Sequence, residues 1–362
     1  MSDVPAEPLL QEAVVERVAA AIGDQWCSAA SVVVLHEGRV LARHGSGVLG
    51  RIGDDGQALA DPQPSDIHTW FDLASVTKVF SAVTLLTLVE RGVLGLDAPI
   101  GVHLPSFADG ERSQVTLRML LSHTSGLPAQ WWGWRTPLGA AGREELLEDL
   151  LATPLVHAPG SAWEYSCVGY NTAMALAEGA TGRPWAELVA SLVLEPLGLG
   201  DHIAFVPGGL VAATEYQPEL GRGVVQGVVH DESAWSLGGE CANAGLFGAA
   251  DGLARFGELV LLDQLPCSSL PLFENALPEG MTLDVAGHSL GLRIAEEWMH
   301  SPQARGHTGF TGTSLMVDRS LGLVVVVLAN RVHPRRSAEQ MHRLRQEVSG
   351  LAVTAVRASD AG

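Results

Sequence analysis

The spacing of apolar positions changes several times along the chain. Over residues 5–22 they recur at helical intervals, which predicts a terminal helix packed on a sheet. From Ala29 the pattern becomes a continuous run, Ser31-Val32-Val33-Val34-Leu35, then a polar glycine turn, His36-Glu37-Gly38-Arg39, then Val40-Leu41-Ala42-Arg43. Two β-rich stretches joined by such a turn predict an antiparallel hairpin. Residues 50–65, rich in Gly, Asp and Pro, predict a surface loop. Val76, Val79, Val83, Leu86 and Val89 then return at threes and fours, so a long helix should begin at Ser75 and stop at Gly92.

Further helical spacing covers residues 116–122, 143–151, 169–180, 184–194 and 250–262. Beyond about residue 285 strands return: residues 288–295, 313–317 after a glycine-broken stretch from His307, and 323–329, with Arg319-Ser320-Leu321-Gly322 as a turn. Strands at both ends with helices between them predict an α+β fold. An antiparallel sheet built from both chain ends and flanked by helices would form one unit, residues 1–70 and 285–362. Residues 71–284 would be a mainly helical inserted lobe, and the cleft between the two is the expected place for a site.

Composition narrows the function. The 362 residues carry 41 acidic and 22 basic side chains, a formal charge of -19 that repels phosphate backbones, so nucleic acid is not an expected partner. The strongly apolar run at 321–329 is too short and too β-branched for a membrane span. Residues 1–7 have neither a basic nor an apolar signal region, which predicts a cytoplasmic protein. Cys27, Cys167, Cys241 and Cys267 are scattered, so neither a disulfide framework nor a zinc site is expected. The His and acidic residues show no ligand spacing either, and no metal or cofactor is expected.

One detail carries more weight. Of the basic side chains 21 are arginine, and Lys78 is the single lysine. A lone Lys among arginines suggests work that Arg cannot do, because only Lys gives up its proton readily. Ser75-Val76-Thr77-Lys78 sets hydroxyl and amine at i and i+3 on one helix face, in the first turn. The positive helix end should favour an oxyanion beside Ser75 and lower the Lys78 pKa, which makes a nucleophile with its base.

Two more segments carry chemistry. Trp163-Glu164-Tyr165-Ser166-Cys167 places a tyrosine beside a helix start, where a phenol near an amine can relay protons. Gly306-His307-Thr308-Gly309-Phe310 is a glycine-rich lead along a strand, able to aim an N–H at a developing oxyanion, with His307 titrating near neutrality. Trp131 and Trp132 could wall an acyl pocket or simply pack between lobes. His123 and His230-Asp231-Glu232 look like loop-fixing groups rather than catalytic ones.

In this order and spacing the segments resemble the penicillin-recognising serine hydrolases: class C β-lactamases, D,D-peptidases and family VIII carboxylesterases. The resemblance runs from about Ser31 to His333 and includes Leu120-Leu121-Ser122-His123-Thr124-Ser125-Gly126-Leu127-Pro128, Gly245-Leu246-Phe247 and Val327-Leu328-Ala329-Asn330-Arg331. It implies Ser75 as the acylated nucleophile, Lys78 as its base and Tyr165 as a second proton carrier. It also implies His307-Thr308-Gly309 as the third motif, with the N–H groups of Ser75 and Phe310 as oxyanion hole. Two departures bear on substrate. Cys167 stands where the family's second motif has Asn, removing an amide that would bind a substrate amide. His307 stands where β-lactamases usually have Lys, giving up a cation for a substrate carboxylate. The expected reaction is therefore hydrolysis of a small-molecule carboxylic ester, with β-lactamase or D,D-peptidase chemistry and a catalytically silent binding module as alternatives. Oligomeric state is not legible.

Overall fold

The run Leu323–Ala329 is apolar at every position because the strand it forms is covered on both faces. The structure, a computed structural model, describes residues 6–135, 142–281, 287–336 and 340–360. Helix α1 (Ala6–Gly23) precedes the hairpin β1 (Ala29–His36) and β2 (Arg39–Gly47), and β3 (Phe71–Asp72) leads through a 3-10 turn (Ala74–Val76) into α2 (Thr77–Glu90). Then come α3 (Leu117–Leu121), α4 (Arg143–Ala152), α5 (Cys167–Thr181) and α6 (Trp185–Val189), the last continued by a π turn, Ala190–Leu194. Short strands β4 (Ile203–Ala204), β5 (Tyr216–Gln217) and β6 (Gly223–Val224) precede α7 (Glu232–Ser236), β7 (Phe247–Gly248) and α8 (Ala250–Leu261). The chain ends with β8 (Arg293–Ile294), β9 (Arg305–Thr308), β10 (Ser314–Asp318), β11 (Leu323–Ala329) and α9 (Gln340–Asp360).

The sheet joins both chain ends in the order β2-β1-β11-β10-β9-β8, antiparallel throughout, with Val32 opposite Val327 and Val33 opposite Val326. Side chains alternate faces along each strand. Val33, Leu35, Leu315, Val324, Val326 and Leu328 join the core shared with α2, α5 and α8, whereas Val32, Val34, Met316, Val325 and Val327 pack under α1 and α9. Burying each valine contributes about 1.5–3 kcal/mol. The α+β class, with its antiparallel sheet from both ends flanked by helices, is as expected.

Three elements differ from expectation. Helix α2 begins at Thr77, after a 3-10 turn that carries Ser75, rather than at Ser75 itself, and it is buried from Thr77 to Leu88. The strand expected over 288–295 contracts to Arg293–Ile294. Gly291 turns the backbone at φ 120°, where an added Cβ would sit 2.6 Å from the Ala82 Cβ. Helix α9 was not anticipated. Pro5, the expected start of α1, and the boundary expected at 284–285 lie outside the described residues.

Candidate active site

The turn that presents Ser75 is strained and tied down. Ala74 has φ 46°, a conformation that costs a non-glycine residue about 1–3 kcal/mol and persists only where neighbours hold it. Asp72 supplies one restraint: Oδ1 accepts the Ala74 N–H at 2.8 Å and Oδ2 the His230 N–H at 2.6 Å. Burial pushes the Asp72 carboxyl above its ordinary pKa, against these backbone donors. The segment after Gly309 supplies the others: Thr311 Oγ1 donates to the Asp72 carbonyl at 2.7 Å and Thr313 Oγ1 to the Leu73 carbonyl at 2.9 Å. Gly309 is needed for this approach, since a Cβ there would lie 2.5 Å from the Leu73 oxygen.

One turn on, Lys78 is fully buried. Its Nζ is 3.0 Å from Ser75 Oγ, 2.8 Å from the Asn243 carbonyl and 3.5 Å from Cys167 Sγ, and it lies 5.0 Å from the centre of the Tyr165 ring. Asn243 is held in turn by Asn171 Oδ1 on its N–H and by Asp231 Oδ1 on its amide nitrogen. Sequence reasoning missed the Asn243 carbonyl, because backbone acceptors leave no mark in a sequence. Burial is the largest influence on Lys78 and acts to lower its pKa. Cys167, Tyr165 and Asp231 outweigh it and hold Lys78 above the ordinary lysine value. This corrects the lowered pKa expected from the helix end, because the neighbouring groups together outweigh burial. The Cys167 thiol itself is pushed up by burial.

Ser75, Tyr165, Cys167, Thr308, Gly309 and Phe310 line one cavity of about 510 Å³. Its rim differs from expectation at three places. Trp132 and Trp134 line it, with the Arg135 guanidinium 4.3 and 4.7 Å from their rings, but Trp131 turns inward and donates to Asp149 Oδ2 at 2.7 Å. Trp131 is thus not among the residues that line the cavity. His307 is buried rather than lining it, its Nδ1 3.0 Å from the Thr308 carbonyl. Burial, with Arg293 and Lys78 nearby, drives its pKa well below the usual histidine range, so it stays neutral near pH 7 instead of titrating there. The cation expected to be lost with His307 is supplied from elsewhere, because Arg293, Arg331 and Arg345 line the cavity. The amide lost at Cys167 likewise has a neighbour in Gln130, whose Nε2 lies 4.0 Å from Cys167 Sγ at the cavity wall.

His123 and His230 behave as the loop-fixing groups expected. His123 Nδ1 accepts the Ser166 N–H at 3.0 Å, and His230 Nε2 lies 2.9 Å from Glu215 Oε2. Among the described residues no cluster of three or more His, Cys, Asp or Glu could hold a metal ion, and no helix is long and apolar enough to cross a membrane.

Known proteins resemble this chain in sequence and in fold. Esterase EstB of Burkholderia gladioli is 32% identical over 85% of this chain and 89% of its own length. The N-acetylmuramyl-L-alanine amidase of Bacillus subtilis (strain 168) is 29% identical over 84% of this chain and 77% of its own. Among solved structures, EstCE1, described as a hydrolase with promiscuous acyltransferase activity, has a TM-score of 0.74 at 20% identity, covering 96% of this chain and 99% of that one. The protein is a serine hydrolase. A family model described as Beta-lactamase matches residues 11–349, and the chain belongs to that family.

Proposed function

We propose that the protein hydrolyses small carboxylic esters through an acyl-enzyme on Ser75. The observation that carries this reading is the 3.0 Å contact between Lys78 Nζ and Ser75 Oγ, made by a fully buried amine that lies 5.0 Å from the centre of the Tyr165 ring. Lys78 and Tyr165 act as one base, active when the pair is short of a single proton. Ser75 Oγ attacks the ester carbonyl while its proton fills that shortage. The N–H groups of Ser75 and Phe310 serve as the oxyanion hole. The pair then returns the proton to the departing alcohol, and a water gives up a proton the same way as it attacks the acyl group. The acid leaves as Ser75 is reprotonated. No cofactor takes part in this scheme.

The share of chain matched by esterase EstB supports an ester substrate. The four cysteines are buried free thiols, which fits the reducing cytoplasm as its compartment. We also propose the division into a sheet unit, residues 1–70 and 285–362, and a helical insertion, residues 71–284. A fluorophosphonate probe tests the nucleophile: intact mass should rise by one adduct in the native protein and not in Ser75→Ala.

A second reading is favoured by one observation. Arg293, Arg331 and Arg345 at the cavity could pair with the carboxylate of an amide substrate, as a β-lactamase or peptidase requires. A chromogenic short-chain ester assayed beside a chromogenic cephalosporin separates the two. Faster turnover of the ester supports the first reading, and faster turnover of the cephalosporin supports the second.

A further inference from the structure

Tyr165 sits in a stretch without regular secondary structure, yet the proposed chemistry requires its hydroxyl to stay fixed against Lys78. The hydrogen bonds around it show how that is arranged. Segment 160–167 is laid along segment 123–129. Gly160 N–H donates to the Thr124 carbonyl at 2.7 Å, Cys167 N–H to the Ala129 carbonyl at 2.9 Å, and Ser166 Oγ to the Pro128 carbonyl at 2.6 Å. The two peptide N–H groups flanking Tyr165 share one partner. Glu164 N–H donates to the His123 carbonyl at 2.9 Å, and Ser166 N–H to the His123 Nδ1 at 3.0 Å. The His123 ring also lies against Tyr165, with centroids 4.6 Å apart, and against Tyr170 at 5.2 Å. His123 is itself held at φ 62°, a left-handed conformation uncommon for histidine.

We propose that His123 is a positioning residue for Tyr165, gripping the backbone on both sides of it through its own carbonyl and its Nδ1 lone pair. This deepens the proposed esterase reading and rests on it for its role in turnover. The left-handed backbone aims carbonyl and ring at the same short segment, so the strain at His123 is offset by two hydrogen bonds and a ring contact. The Nδ1 grip requires the tautomer with its proton on Nε2, because Nδ1 must accept.

The test separates the acceptor from the backbone. Both His123→Asn and His123→Gly tolerate a left-handed backbone, but only Asn carries an oxygen close to the position of Nδ1. His123→Gly should lower kcat on a short-chain ester by about 10–100-fold with KM within about twofold, as expected when a reacting group drifts by an ångström or so. His123→Asn should keep kcat within about threefold. Near-ultraviolet circular dichroism, read as the difference from Tyr165→Phe in each background, should show the Tyr165 band kept in His123→Asn and weakened in His123→Gly. Equal kcat in the two variants, or an unchanged band in His123→Gly, overturns the proposal. If His123→Gly does not fold, His123→Asn decides: near-native kcat and band support the proposal, and a tenfold loss overturns it. The spectrum is read without substrate, so a wrong substrate assignment leaves that arm intact, whereas failed labelling of Ser75 would sink the esterase reading alone.

Discussion

Under α1 and α9, the sheet face formed by Val32, Val34, Val325 and Val327 is closed by Leu344, Val348 and Val356, hydrocarbon against hydrocarbon. Across the sheet, the region that carries Ser75 buries Lys78, Asp72, His123, His288 and His307. Both regions are equally hidden from water, but they depend on different forces. The first is held by buried area, which tolerates small changes of shape at a modest price. The second is held by hydrogen bonds that each have a direction and a proton, so small changes there should leave the fold standing and remove the chemistry.

The largest expected difference between the regions comes from Ser75→Ala, which should lower ester turnover roughly 10⁵-fold with the melting temperature unchanged; retained turnover would refute the nucleophile. Lys78→Arg should cost about 10³-fold in kcat, because the cation is kept while the removable proton is lost. Native-like activity in that variant would take Lys78 out of the base. The same argument sets the pH profile. Lys78 is held above the ordinary lysine value, so the pair reaches its one-proton-short state as pH rises, and kcat/KM should climb into the alkaline range. A flat profile there argues against the shared base.

Stability should separate the two regions in acid. Burial lowers the His288 pKa to about 4, below the ordinary 6.5, so as pH falls through this window the unfolded chain takes up the proton first. The His288 contribution is whole above about pH 6.5 and is lost down to about pH 4, amounting to about 3 kcal/mol. Denaturant titrations at several pH values should find this slope reduced in His288→Asn. The smallest effect belongs to the apolar face: Val325→Ala should cost about 2 kcal/mol with kcat and KM unchanged.

The hairpin, α2 and β11 were legible because each is a local pattern that tertiary packing reinforces. The Ser75–Lys78 spacing was legible because one helical turn brings the two together. Helix α9 was missed although Leu344, Val348, Ala352 and Val356 recur every four residues, since Arg343, Arg345, Glu347 and Arg357 mask the stripe. The cationic rim had no local signature at all, because Arg135, Arg293, Arg331 and Arg345 meet only once the sheet closes. His307 was misjudged for the reverse reason, as its glycine-rich surroundings suggest exposure and its strand is interior.

Threonines 311 and 313 clasp the peptide just before the nucleophile across 239 and 240 residues of chain. During synthesis the serine therefore emerges from the ribosome long before the β9–β10 connection that shapes its turn. The turn that holds the nucleophile is thus completed only by residues made after most of the chain.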